Sequence, residues 1–289
     1  MVSFNFRTDF AHELIGKDKQ GYKVTKRRKN NVLTTKVVID NKNNSLSKKV
    51  GTYYSIEFGS IKDKMDRDDV SSVLTYELKS ILKDKGFKYG DTVLVVGLGN
   101  KYVTADALGP ETASKVYVTN HLFEIDKSLV EKGDSRICVI SPGVMGQTGM
   151  ETSDIINSIN AKLKPKIIIV IDALASMNIK RINKMIQITD TGISPGSGVG
   201  NHRKGIDYET LKTPVIAIGV ATVVEISNVI YQVLANANIE NNEIINEYLA
   251  QSEYQLVVTP KEIDEDIMHL SDIISSSINK SLNQNFKYF

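Results

Sequence analysis

From Asp91 onward the chain alternates continuous apolar runs with glycine-containing loops and polar-faced segments of helical length. Residues 92–96, 136–141, 166–172, 185–189 and 214–219 are apolar runs of strand length without the polar alternation of a half-solvated sheet, which marks strands covered on both faces. The first ninety residues read differently. Residues 32–39 and 52–58 are short β-rich runs separated by the polar stretch 40–49, which has the composition of a turn or flexible loop. Residues 67–85 place Val70, Val73, Leu74, Leu78, Ile81 and Leu82 at three-to-four spacing before Gly86, predicting an amphipathic helix and its stop. Residues 223–235 and 261–282 are further amphipathic helices, the second with Thr259 as its expected N-cap and Pro260 at its first position. About a dozen residues separate Asp172 from Met185, which is marginal for a crossover between parallel strands. The strand at 185 is therefore expected to run antiparallel to its neighbour. The pattern as a whole predicts an α/β fold: a three-layer sandwich with a mostly parallel central sheet flanked by helices, and a small β-rich N-terminal subdomain at about residues 30–60.

Composition narrows the function only by exclusion. With 289 residues, 41% of them hydrophobic, the chain can bury the core of one large domain or two small ones. A formal charge of +2 is too small to make nucleic acid the main partner, and the locally basic stretches 17–29 and 42–49 read as solvated surface. The lone cysteine, Cys138, lies inside an apolar run with no flanking base, so it reads as a small buried thiol. One cysteine permits no disulfide within the chain, which fits a reducing compartment. The N-terminus has no signal-like apolar region and no stretch nears the ~20 apolar residues of a membrane span. A cytoplasmic protein without a membrane partner is expected.

Two aspartates carry the candidate chemistry. Asp172 ends the run 166–172, and Asp106 lies in the loop after the run 92–96, each within the same local form, Asp-Ala-Leu. Ligands of open α/β sheets bind outside the carboxyl ends of the strands, where both loops are expected to open. Two neighbouring carboxylates do not ionise together easily, so one keeps a proton and serves as acid while the other activates water. Either aspartate alone reads equally well as a helix N-cap. Gly97, Gly99 and Asn100 form a partial dinucleotide-binding turn, but Tyr102 stands where the third glycine belongs. The glycine-rich segment 192–204 lacks the Gly-Lys-Ser/Thr ending of a phosphate loop. The four histidines, His12, His121, His202 and His269, are scattered, and none has the short spacing of a helical zinc site. No cofactor or metal is assigned, although Asp106, Asp172 and one histidine converging in space leave a metal hydrolase open.

The strings Val96-Gly-Leu-Gly-Asn100, Val103-Thr-Ala-Asp-Ala-Leu-Gly-Pro110, Pro142-Gly-Val-Met-Gly-Gln-Thr-Gly-Met-Glu-Thr152, Ile171-Asp-Ala-Leu-Ala175 and the segment 190–204 resemble the germination protease of endospore-forming bacteria. The likeness runs over nearly the whole chain. It implies an endopeptidase of the spore core that degrades small acid-soluble spore proteins without an established metal. By motif match its catalytic aspartates are Asp106 and Asp172. It further implies a homotetramer, and a zymogen processed at a site like those in its substrates, Thr-Glu-Phe/Ile-Ala, cut after the acidic residue. The counterpart here is Thr8-Asp9-Phe10-Ala11. Cleavage of Asp9-Phe10 would release residues 1–9 as propeptide and leave residues 10–289 as one peptidase domain. Within this reading the Gly143 to Gly149 loop, with Gly146, Gln147 and Thr148, is the expected oxyanion and substrate loop. His202, Arg203 and Lys204 are the expected pocket for the acidic side chain. The fold is similar to that of hydrogenase maturation endopeptidases, which keeps a metal-dependent maturation enzyme as an alternative. A non-enzymatic nucleotide or nucleic-acid binder is the competing class, and the near-neutral charge argues against direct nucleic-acid contact.

Overall fold

The computed structural model describes residues 8–16, 20–196, 203–237 and 256–286. Among these residues nine strands form one sheet: β1 (Tyr22–Lys29), β2 (Val32–Ile39), β3 (Gly51–Glu57), β4 (Thr92–Gly97), β5 (Arg136–Ile140), β6 (Ile167–Ser176), β7 (Met185–Thr189), β8 (Val215–Glu225) and β9 (Val257–Val258). Their order is β1-β2-β3-β7-β8-β6-β4-β5, with β9 paired to β8. The helices are α1 (Lys64–Asp84), α2 (Leu108–Ser114), α3 (Asn120–Ile125), α4 (Met145–Thr148), α5 (Thr152–Leu163), α6 (Tyr208–Leu211), α7 (Ile226–Asn236) and, after the gap in description, α8 (Ile263–Leu282).

The sheet is mixed rather than mostly parallel. β5, β4, β6 and β8 pair in parallel, while β7 runs antiparallel to both β8 and β3, as the short connection from β6 requires. Reversal at β7 supplies an edge onto which β3, β2 and β1 add as an antiparallel meander. The N-terminal strands thus extend the central sheet instead of forming a unit of their own. Tyr54 and Ile56 of β3 share a core cluster with Val95 of β4 and Ile169 of β6.

Two apolar clusters follow the strand period of two. Val93, Val95, Ile167, Ile169, Ile171 and Ile218 pack with α1 and α8; their sequence neighbours Leu94, Val96, Ile168, Val170 and Ala217 pack with Ile156 of α5 and Leu211 of α6. Serines let α8 approach α1 closely, with Ser71 Oγ 3.2 Å from Ser277 Oγ. Two boundaries differ from expectation. β8 continues to Glu225 and takes in Val223, so α7 starts later. Thr259 does not cap α8, which begins after Glu262; its hydroxyl donates to the Thr222 carbonyl at 2.9 Å and fastens β9 to β8. Among the described residues no helix is long and apolar enough to cross a membrane.

Candidate active site

Asp172 does not end its strand. β6 runs on through it to Ser176, so the carboxylate projects from within β6, one residue past the end of β4 and opposite Gly219 in the middle of β8. It is buried, 6% exposed, and its Oδ1 accepts the Ala173 N–H at 3.0 Å. Asp106 closes a 3₁₀ turn (Thr104–Asp106) after β4, and its Oδ2 accepts the Asn100 N–H at 2.8 Å. Gly99 has φ +107°, and a Cβ there would lie 2.1 Å from the Asp106 carbonyl oxygen. Gly99 therefore serves the close seating of the Asp106 loop, and Gly97 the close approach of α2 at Gly109. Neither aspartate is a helix cap: the cap of α2 is Ala107, and Asp172 is within a strand.

Both aspartates line one cavity of about 390 Å³. Burial, reinforced by the negative charges of Asp106 and Asp9, holds the Asp172 carboxyl well above the ordinary range, against one opposing N–H from Ala173. Burial also raises Asp106, but the Asn100 N–H and the Arg203 guanidinium act the other way. Of the two carboxyls, Asp172 is raised the more strongly and so holds its proton the more readily. One carboxyl to give a proton and one carboxylate to take it, beside a cavity with room for water, is the equipment of water-dependent amide hydrolysis.

Two further acidic residues line this cavity, Glu151 and Asp9, and Asp9 is the one tied to β6. Its N–H donates to Ala175 O at 3.1 Å, and its Oδ2 accepts the Ala175 N–H at 2.9 Å, so residue 9 pairs with β6 beyond Asp172. Phe10 is wholly buried among Leu174, Met185 and Ala221. Its N–H donates to Thr8 Oγ1 at 3.1 Å. The Thr8 hydroxyl donates in turn to Glu13, a fully buried carboxylate that also accepts from Ser176 Oγ at 2.6 Å, Met177 N at 2.8 Å and Arg181 Nη1 at 3.1 Å. The Thr8 to Ala11 motif is thus seated at the rim of the two-aspartate cavity.

The other residues singled out from the sequence divide. Gly143 and Val144 line the cavity, whereas Gly146, Gln147 and Thr148 do not. The amides of Gln147, Thr148 and Gly149 are spent within the α4 turn, on Val144 O, Val144 O and Met145 O. Arg203 and Lys204 line the cavity, with Lys204 Nζ also bound to Asp154 Oδ1 at 2.9 Å; His202 lies outside the described residues. Cys138 packs beside the α5 cluster, its thiol pushed up by burial. Among the described residues no three His, Cys, Asp or Glu side chains are grouped to hold a metal ion. Four polar groups escaped the sequence reading. Ser153 and Thr222 line the cavity, and their buried hydroxyls have no hydrogen-bond partner among the described residues. Lys48 and Gln187 both donate to the Asp9 carbonyl. A glutamine inside the apolar run 185–189 was the available signal for the last.

The family model described as germination protease matches residues 6–237. The chain is 36% identical to the germination protease of Bacillus thuringiensis subsp. konkukian over 98% of this chain and 95% of that protein. It is 38% identical to that of Bacillus pumilus over 82% and 79%, and 35% identical to that of Oceanobacillus iheyensis over 98% and 95%.

Proposed function

The chain belongs to the germination protease family, and from that premise we propose that it is an endopeptidase that opens the degradation of small acid-soluble spore proteins. Water held between Asp106 and Asp172 attacks the scissile carbonyl, Asp106 takes its proton, and Asp172 delivers one to the departing amine. The enzyme is made as a zymogen, with residues 1–9 as propeptide and residues 10–289 as the peptidase domain, and it cuts its own Asp9–Phe10 bond. It works in the cytoplasm of the spore core as a homotetramer. The last two features rest on the resemblance alone.

The observation that carries the reading is the shared cavity of Asp106 and Asp172 with the Thr8-Asp9-Phe10-Ala11 motif at its rim. Arg203 is the cavity-lining cation best suited to attract an acidic side chain next to the scissile bond. The test replaces Asp106 and Asp172 singly with Asn and follows both loss of the first nine residues by mass and cleavage of a peptide bearing Thr-Glu-Phe-Ala. Both activities fall by about 10²–10⁴-fold in each variant. Wild-type turnover in either variant removes the pair from the mechanism.

A further inference from the structure

We propose that Lys48 and Gln187 form the oxyanion-binding pair for cleavage of the Asp9–Phe10 bond, an inference that rests on the self-processing reading above. Lys48 Nζ donates to the Asp9 carbonyl oxygen at 3.2 Å and to the Thr8 carbonyl oxygen at 3.1 Å. Gln187 Nε2 donates to the same Asp9 oxygen at 3.2 Å, and its Oε1 accepts the Ala11 N–H at 3.0 Å. One side-chain amide therefore grips the main chain on both sides of the bond to be cut. The oxygen that gains charge in the tetrahedral intermediate already faces one cationic and one neutral donor, at lengths that shorten as charge develops.

Both donors are held in place. Gln187 sits in the middle of β7, 5% exposed and paired to Ser55 and Gly219 on either side. Lys48 comes from the loop between β2 and β3, which Asn44 closes on itself: Asn44 Nδ2 donates to Lys48 O at 2.9 Å, and Asn44 Oδ1 accepts from Lys48 N at 3.3 Å. Burial lowers the Lys48 pKa, with the Asp9 and Glu13 carboxylates opposing, so its ammonium is poorly hydrated and acts through a low dielectric.

The reacting groups approach from two sides. Asp9 lines the two-aspartate cavity and also a second one of about 220 Å³ that Lys48 and Gln187 line. Phe10 packs on Leu174, which shares a face of β6 with Asp172 at about 7 Å, two residues along a strand. In the step, a water oxygen bonds to the Asp9 carbonyl carbon as one of its protons passes to Asp106. The carbonyl π pair moves onto the oxygen between Lys48 and Gln187. The C–N bond then breaks, the Asp172 proton goes to the Phe10 nitrogen, and a carboxyl group at Asp9 and a free amine at Phe10 remain.

The experiment measures by mass the rate at which the full chain loses its first nine residues, in the wild type and in Lys48→Met, Lys48→Arg, Gln187→Glu and Asp172→Asn, with thermal unfolding of each as the check on folding. Lys48→Met and Gln187→Glu slow the reaction by about 10²–10³-fold. Lys48→Arg, which keeps a cationic donor, retains most of the rate, and Lys48→Met melts as the wild type does. A Lys48→Met chain that processes at the wild-type rate while Asp172→Asn stays intact overturns the proposal, and so does equal loss in Lys48→Met and Lys48→Arg. A wild-type chain that keeps its N-terminus removes the self-processing reading instead.

Discussion

The Gln147 side chain donates to Asn100 Oδ1 at 2.7 Å, joining the loop after β5 to the loop after β4 directly beside Asp106. The main-chain N–H of Asn100 binds Asp106 Oδ2 at 2.8 Å, so Gln147 acts on the carboxylate through Asn100 without lining its cavity. Gln147→Leu removes the tether while keeping the side chain's bulk. Because Gln147 is exposed, its loss shifts stability by less than about 0.5 kcal/mol. Both self-processing and peptide cleavage fall roughly tenfold, since loss of positioning is costly at a reacting centre. Measured turnover equal to wild type, with an unchanged melting temperature, would show that the loops hold Asp106 without this bond.

Asp172→Asn separates catalysis from stability. The Asp172 carboxyl is raised well above its unfolded value by burial and by Asp106 and Asp9. Its folded state binds the proton more tightly than the unfolded chain does, so its stabilising contribution is complete below the unfolded value near ~3.9. That contribution disappears as pH climbs through the raised folded value. At neutral pH the unfolded chain gains by ionising this carboxyl while the fold resists it, a penalty that the neutral amide of Asp172→Asn does not carry. The variant is inactive yet melts higher than the wild type at pH 7, and the difference narrows as pH falls towards 4. A thermal unfolding series across pH checks this, and a variant that melts lower at pH 7 contradicts it.

The sequence exposed the site's carboxylates more readily than their helpers, for physical reasons. Asp106 and Asp172 were visible because a charge beside an apolar strand is conspicuous. The strand at 185–189 was legible because its run is unbroken, and its direction followed from the short link before it. β6 was cut short at Asp172 because Ala173 to Ser176 carries no strand-forming signal of its own. β1 was missed because it is an edge strand whose side chains, from Lys26 to Lys29, are exposed and basic, so it read as solvated surface. Such charges are what keep an edge from pairing with another chain. Lys48 was hidden for a related reason: nothing local distinguishes a lysine folded over a carbonyl from the other lysines of a polar loop. Only the long-range approach of residues 8–11 to β6 and β7 gives it a partner.

Gly99→Ala breaks the site from beneath. At φ +107° an alanine is strained, and its Cβ would stand 2.1 Å from the Asp106 carbonyl oxygen, so the Asp106 turn must move. The expected cost is about 1–3 kcal/mol of stability, with loss of both cleavage activities. Gly86→Ala is the control: it meets the same class of backbone strain at φ +73° but has nothing within 4 Å, so it costs about 1–2 kcal/mol and leaves activity intact. Denaturant unfolding and peptide turnover distinguish the two. Full activity in Gly99→Ala would show that Asp106 need not be held where it stands.

Glu13→Gln tests how residues 8–13 are anchored. Each Glu13 oxygen is occupied by donors: Ser176 Oγ at 2.6 Å and Arg181 Nη1 at 3.1 Å on Oε1, Met177 N at 2.8 Å on Oε2, with the Thr8 hydroxyl also on Oε2. An amide keeps the shape but turns an NH₂ towards one set of these donors, leaving buried N–H or O–H groups facing another donor. The cost is about 1–3 kcal/mol, read as a lower denaturant midpoint. Since Ser176, Met177 and Arg181 belong to the body of the protein, the loss persists after residues 1–9 are removed, whereas an anchor serving only the propeptide would matter only before removal. Self-processing also slows, because Thr8 loses the partner that orients its hydroxyl towards the Phe10 nitrogen. Midpoints for Glu13→Gln and wild type, before and after processing, give four values. Equal midpoints in the processed pair would mean that Glu13 stabilises the uncut chain alone.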